Sequence, residues 1–205
     1  MKFSVITVVK NEEKYIKRLI ESVISQNVDY ELLILDEFST DRTKEIVLSF
    51  NDKNIKFIEL NEHFHKRLAE GMNMATGEII GGLSGDDIYL SNALSKINID
   101  DGWLVGRVVT ANGTVSKIDK PENLMGQGIF YTKKFLRENN LNLEWKTYPN
   151  ICDYVMRTKA WKIQKPEFMD EVVAFAELSR ITLFNKKERY LELKKFRQEF
   201  GCLKC

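Results

Sequence analysis

Residues 3–9 are almost all apolar or β-branched, whereas from Ile16 onward the apolar positions fall at Leu19, Ile20, Val23 and Ile24. The first pattern predicts a strand buried on both faces, the second an amphipathic helix. Residues 31–35 repeat the strand pattern. Ser39, Thr40 and Asp41 then offer N-caps to a helix carrying Ile46 and Val47, and residues 56–60 supply a third strand. A helix over about 65–75 is expected to stop at Gly77, before a fourth strand at 79–83. The order βαβαβαβ predicts an α/β fold with a Rossmann-like, mostly parallel sheet flanked by helices. Such sheets bind ligands at the carboxyl ends of their strands. Two acidic pairs fall at such ends: Asp36-Glu37 after the second strand and Asp86-Asp87 after the fourth.

Beyond residue 90 the alternation breaks down. Strand-like segments at 103–110 and 115–118 flank Asn112-Gly113, a hairpin turn signal. A short strand at 129–131, helices near 132–139 and 152–158, and a strand at 172–175 follow. Residues 185–200 are rich in Lys, Arg and Glu around Leu191, Leu193 and Phe196, which predicts a partly exposed helix. The second half is therefore mixed, and no internal repeat or low-complexity linker divides the chain.

Length and charge narrow the function classes. With 205 residues the leading expectation is one domain, and 43% hydrophobic with 30% charged residues is ordinary globular composition. A net charge of +1 gives no broad attraction for nucleic acid, so no nucleic-acid partner is expected. The opening apolar run stops at Lys10, too early for a secretory h-region, and no stretch approaches the roughly 18 apolar residues of a membrane span. Three cysteines form no complete disulfide set, which favours a reducing compartment and a cytoplasmic location.

Adjacent carboxylates after a buried strand form a compact dianionic site. Magnesium or manganese takes one or two carboxylates and completes its shell with phosphate oxygens and water, so Asp86 and Asp87 suit a diphosphate ligand. Taken alone, the pair also reads as a solvated turn capping a helix at Ser91. Asp36-Glu37 has the same two readings, with the positive end of the next helix as the plainer one and a ribose or base contact as the functional one.

Three segments carry a family resemblance: SVITVVKNEEKYIKRLIESVISQ, ELLILDEFSTDRT and KRLAEGMNMATGEIIGGLSGDDIYLSNAL. Asn11, Ser22, Gln26, Asp36, Ser39, Thr40, Asp41, Ala75, Gly77, Glu78, Asp86 and Asp87 stand in the order of the motifs of family-2 glycosyltransferases, which the chain resembles. The resemblance implies the GT-A fold, an inverting mechanism and a nucleotide diphosphate sugar donor. It also implies a divalent metal held by Asp86 and Asp87, and a donor-binding set of Val8, Lys10, Asp36, Glu37, Arg67 and Asp86. Residues 1–90 would form the nucleotide-sugar half, 91–184 the acceptor half and 185–205 a terminal helix and tail of one domain. The chain departs from the pattern at Lys10, where an aromatic is common, and at Glu37, where a second aspartate is usual.

Inverting transfer needs a base for the acceptor hydroxyl. The segment ICDYVMR resembles the helix that carries it, which makes Asp153 the candidate, although its spacing to Arg157 is two residues shorter than usual. Glu144 is the fallback. His63 and His65 form a His-x-His pair, read here as a loop edge beside a pocket rather than a metal site. Cys202 and Cys205 make one C-x-x-C, too few ligands for zinc with Cys152 alone, and Asn112-Gly113-Thr114 reads as a turn rather than a glycosylation site. The acceptor is a glycan, lipid or protein. A lipid-linked acceptor would bring peripheral contact at the inner membrane face, for which Tyr190, Phe196 and Phe200 are candidates. Two other functions fit: a catalytically silent sugar-nucleotide-binding module, and a sugar-phosphate nucleotidyltransferase, which the absence of a glycine-rich loop after the first strand disfavours.

Overall fold

The computed structural model describes residues 1–177 and 186–200. β1 (Lys2–Val9), β2 (Asp29–Asp36), β3 (Ile55–Glu59) and β4 (Ile79–Ser84) are linked through α1 (Ile16–Ile24), α2 (Thr43–Ser49) and α3 (Phe64–Met74). β5 (Ile88–Tyr89), β6 (Trp103–Thr110), β7 (Ile129–Thr132), α4 (Lys133–Glu138), α5 (Cys152–Ile163), β8 (Glu167–Ala176) and α6 (Lys186–Phe200) follow. The strands form one sheet in the order β3-β2-β1-β4-β7-β6-β8-β5. The first four pair in parallel, β7 lies antiparallel between β4 and β6, and β8 runs parallel to β6.

The unbroken apolar run of β2 follows from burial on both faces. Leu32 and Ile34 point into a core with Ile16, Leu19, Ile20 and Val23 of α1. Leu33 and Leu35 point the other way, into a core shared with Ile6, Trp103, Tyr131 and the α5 residues Met156 and Ala160. Each such side chain contributes about 1.5–3 kcal/mol through burial. α6 docks on the start of α5: Phe196 packs edge-on against Tyr148 and Tyr154, with ring centroids 5.4 and 6.0 Å away, and Glu192 accepts from the backbone N–H of Asn150 at 3.0 Å.

Three expectations change. Residues 115–118 do not form a strand; they make a single bridge, Val109 to Val115, because the hairpin closes tightly around Gly113 (φ +82°) and the chain then leaves the sheet. Gly77 is not the cap of α3, which ends at Met74 with Ala75 as its C-cap. It is a point of close approach, where a Cβ would lie 2.7 Å from the backbone N of Ser4 and 2.8 Å from the carbonyl O of Lys2. The N-cap of α2 is Arg42, without a side-chain cap, while Asp41 accepts from Thr43 N at 3.0 Å one position further out. Cys202 and Cys205 lie outside the described residues.

Candidate active site

The loops leaving β1 and β2 are latched together. Asn11, in the left-handed region at φ +55°, accepts through Oδ1 from Thr40 N (2.8 Å), and its own N–H donates to Ser39 Oγ (2.8 Å). Asp36 is buried and accepts from Ser39 N at 2.6 Å and from the Ser39 hydroxyl, so it closes the turn that presents Glu37. Glu37 receives Lys10 Nζ on one oxygen and Arg67 NH2 on the other, each at 2.6 Å. Arg67 is 3% exposed and also donates to the carbonyls of Val9 (2.8 Å) and Leu35 (3.3 Å), which ties the carboxyl ends of β1 and β2 to α3. Burial pushes its guanidinium pKa down against the opposing pull of Glu37 and Asp36.

Asp86 and Asp87 lie just past β4 and are both buried. Asp87 Oδ2 accepts from Ser84 N (3.2 Å) and Gln127 Nε2 (2.5 Å), and Oδ1 accepts from Glu177 N (3.1 Å). Arg18 bridges the Asp86 carbonyl (2.6 Å) and the Glu177 carboxylate (2.7 Å). Burial raises the pKa of Asp87 and the charge of Asp86 adds to it, against the opposing hydrogen bond from Gln127. Among the described residues no group of three or more His, Cys, Asp or Glu side chains is arranged to hold a metal ion. Two carboxylates, with Asp87 Oδ1 retaining a further lone pair, fit a magnesium or manganese ion that draws its remaining ligands from diphosphate and water.

Ser22 and Gln26 brace this loop from below. Gln26 is buried, donating to Ser22 O (2.8 Å) and Leu90 O (3.0 Å) and accepting from Leu94 N (2.9 Å), while Ser22 Oγ accepts from Tyr89 N (3.3 Å).

A cavity of about 400 Å³ opens between α3, the end of β4, the 124–129 segment and α5. Val8, Ser84, Gln127, His65, Asp153 and Arg157 are among its lining residues, beside a largely apolar wall that includes Met72, Met125 and Met156. Asp153 receives Arg157 NH1 on Oδ2 (3.0 Å), and its Oδ1 lies 3.2 Å from His65 Nε2. Its side chain keeps 40% of its surface exposed. Burial works to raise its pKa, but the His65 hydrogen bond and the charges of Arg157 and His65 outweigh that and hold it well below the usual carboxylate range. Glu144 does not line this cavity; both its oxygens are held by Lys159 Nζ at 2.8 Å.

The structure thus brings Lys10, Glu37 and Arg67 into one cluster around Asp36. Val8 and Asp153 meet in the cavity, and Ser84 and Gln127 connect the cavity to Asp87. Gln127, Arg18, Glu177 and the contact of His65 with Asp153 are not visible in the sequence pattern, because each depends on the second half of the chain folding over the first. The one available signal is the Gly-Gln-Gly run at 126–128, whose glycines mark a close turn.

A Rossmann-like half ending in a buried aspartate pair, followed by a mixed half, is the GT-A type of fold. The structure of S. aureus TarS 1-349 in complex with UDP-GlcNAc superposes with a TM-score of 0.77 at 21% identity, covering 97% of this chain and 66% of that one. The mannosyltransferase PcManGT from Pyrobaculum calidifontis, in complex with GDP-Man and Mn2+, gives 0.64 at 16% identity, covering 88% of this chain and 58% of that one. Residues 4–163 match the family described as Glycosyl transferase family 2, and the chain belongs to that family. It is also 32% identical over 126 residues to the Escherichia coli protein WfgD, named UDP-Glc:alpha-D-GlcNAc-diphosphoundecaprenol beta-1,3-glucosyltransferase, covering 56% of this chain and 49% of that one. The chain spans between 31% and 49% of the length of the curated relatives it matches first.

Proposed function

We propose that the chain transfers one sugar, with inversion, from a uridine diphosphate sugar to a hydroxyl of a glycan, lipid or protein acceptor, with a lipid-linked glycan as the preferred class. The observation that carries this reading is the single cavity lined by Asp153 on one side and by Ser84 and Gln127, the partners of Asp87, on the other. That arrangement sets a carboxylate for the acceptor beside the carboxylates for the donor. Relatives and structural neighbours named for UDP-glucose and UDP-GlcNAc support the uridine donor, and the diphosphoundecaprenol acceptor of WfgD supports the lipid-linked class.

In this reading the Asp36–Glu37 turn, buttressed by Lys10 and Arg67, receives the nucleoside, and Val8 and Asp86 complete the donor site. Asp86 and Asp87 would hold manganese or magnesium, which when bound neutralises charge on the leaving diphosphate. Asp153 stays ionised and takes the proton of the acceptor hydroxyl as its oxygen bonds to the anomeric carbon and the bond from that carbon to the diphosphate oxygen breaks. Among the described residues no helix is long and apolar enough to cross a membrane. A lipid-linked acceptor would bring the chain into peripheral contact with the cytoplasmic membrane face. Of the aromatic candidates on α6, Tyr190 is exposed, next to exposed Leu191, whereas Phe196 is buried against Tyr148 and Tyr154 and is withdrawn from that role.

The double pairing of Asp153 favours one other reading, a module that binds sugar nucleotide without transferring it. Turnover of UDP-glucose and UDP-GlcNAc with a synthetic GlcNAc-diphospholipid and manganese separates the two. The proposal expects UDP release with product formation and loss of both in Asp87→Asn at unchanged thermal stability. Binding without UDP release, or full activity of Asp87→Asn, counts against it.

A further inference from the structure

The start of α3 splits the His-x-His pair. His63 is the N-cap and accepts from Lys66 N, whereas His65, one residue into the helix, turns into the cavity wall with its side chain 6% exposed. Its Nε2 faces Asp153 Oδ1 at 3.2 Å. An ionised carboxylate only accepts, so Nε2 carries the proton. The second oxygen of Asp153 is held by Arg157, four residues on in the same helix, and Arg157 is itself fixed by the Pro121 carbonyl (3.0 Å) and stacks over Tyr154 (5.1 Å to the ring centroid). The carboxylate therefore has side-chain donors on both oxygens, from two different helices, and the backbone N–H of Tyr154 adds to them.

We propose that His65 is a positioning residue for Asp153: its Nε2–H fixes Oδ1 from α3, so that the lone pairs left on the carboxylate face the cavity and the acceptor hydroxyl. This rests on the reading of Asp153 as the base. Arg157 restrains Oδ2 from the helix that carries Asp153, and the contact from α3 adds a restraint on Oδ1 from a second element. A carboxylate gripped at both oxygens keeps one orientation, and a base must stand within about 2.6–3.2 Å of the proton it takes. His65 also helps hold the pKa of Asp153 down. Among the described residues, the charged or titratable groups around the pair include Arg157, Cys152 and Tyr154 of α5, Tyr131 of β7 and His63 at the start of α3.

Two variants separate positioning from packing. His65→Gln keeps a side-chain N–H donor, and His65→Leu keeps comparable volume without one. With the 205-residue chain, manganese, the synthetic GlcNAc-diphospholipid and whichever of UDP-glucose and UDP-GlcNAc serves as donor for transfer, His65→Leu is expected to lower kcat about 10–100-fold at an unchanged donor KM, and to move the acid limb of the rate profile to higher pH. His65→Gln is expected to keep kcat within about threefold of the wild type. Equal kcat in the two variants, or a change confined to KM, overturns the proposal. A readout that needs no turnover is the side-chain Nε2–H of His65 in the 15N-labelled chain. A slowly exchanging signal that is lost in Asp153→Ala supports the contact, and its absence in the wild type overturns it. Full activity of Asp153→Asn defeats the reading of the base, whereas an inactive Asp153→Asn beside a fully active His65→Leu defeats only the role of His65.

Discussion

Gln127 donates its Nε2–H to Asp87 Oδ2 across 2.5 Å, from the turn before β7 to the loop after β4. That contact joins the two halves of the chain between Asp87 and the cavity that Gln127 lines. The turn is held close to the sheet by Gly128, where a Cβ would lie 2.4 Å from the carbonyl oxygen of Gly106 on β6. A group that orients a metal-binding carboxylate affects metal affinity without touching the ion. Gln127→Leu is therefore expected to raise the manganese concentration for half-maximal UDP-sugar turnover about 10–100-fold. A metal titration of activity, with unfolding monitored alongside, checks it.

Arg67 is buried beneath the Asp36–Glu37 turn, and its guanidinium serves Val9 O, Leu35 O and Glu37 together. Arg67→Met leaves two carbonyls without that donor and Glu37 without its inner partner. A loss of about 1–3 kcal/mol in urea unfolding is expected. Glu37→Gln should cost less, because Glu37 keeps 31% of its side-chain surface exposed.

Glu31 gives the fold a defined acid sensitivity. Burial raises its pKa, but hydrogen bonds from Ser4 Oγ (2.6 Å), Thr76 N (2.5 Å), Thr76 Oγ1 (2.8 Å) and Lys56 Nζ (3.0 Å) outweigh that and lower it from 4.5 to about 2. A lowered folded-state value means the stabilisation is present above the unfolded pKa and is lost as pH falls from about 5 towards 2. The shift corresponds to about 3 kcal/mol. Urea midpoints at pH 7 and pH 3 should converge in Glu31→Gln relative to wild type; an unchanged gap would show that other groups carry the acid response.

The parallel half was legible because its signals are local. Leu32 to Leu35 announces two-sided burial by composition alone, and Ile16, Leu19, Ile20 and Val23 announce one helical face. The acidic pairs were placed correctly at strand ends for the same reason. The two-residue β5 was not foreseen, since Ile88-Tyr89 pairs only with Phe175 and Ala174 far along the chain. The partners of Asp87 and Asp153 were hidden likewise: Gln127 and Glu177 lie 40 and 90 residues from Asp87, and His65 lies 88 from Asp153. Short-range periodicity carries no record of such contacts. The sequence places the histidine pair at a loop edge beside a pocket; His63 is the N-cap of α3 and His65 does line the cavity, but from within the helix.

The central claim is that Asp153 acts as base in a site whose donor half works independently of it. The most direct measurement is the single-turnover rate of sugar transfer by Asp153→Asn at saturating UDP-sugar and manganese, with UDP affinity determined by calorimetry on the same preparation. The account predicts unchanged UDP affinity and a rate reduced at least about 100-fold. Transfer at the wild-type rate, with UDP bound as tightly as before, would contradict it.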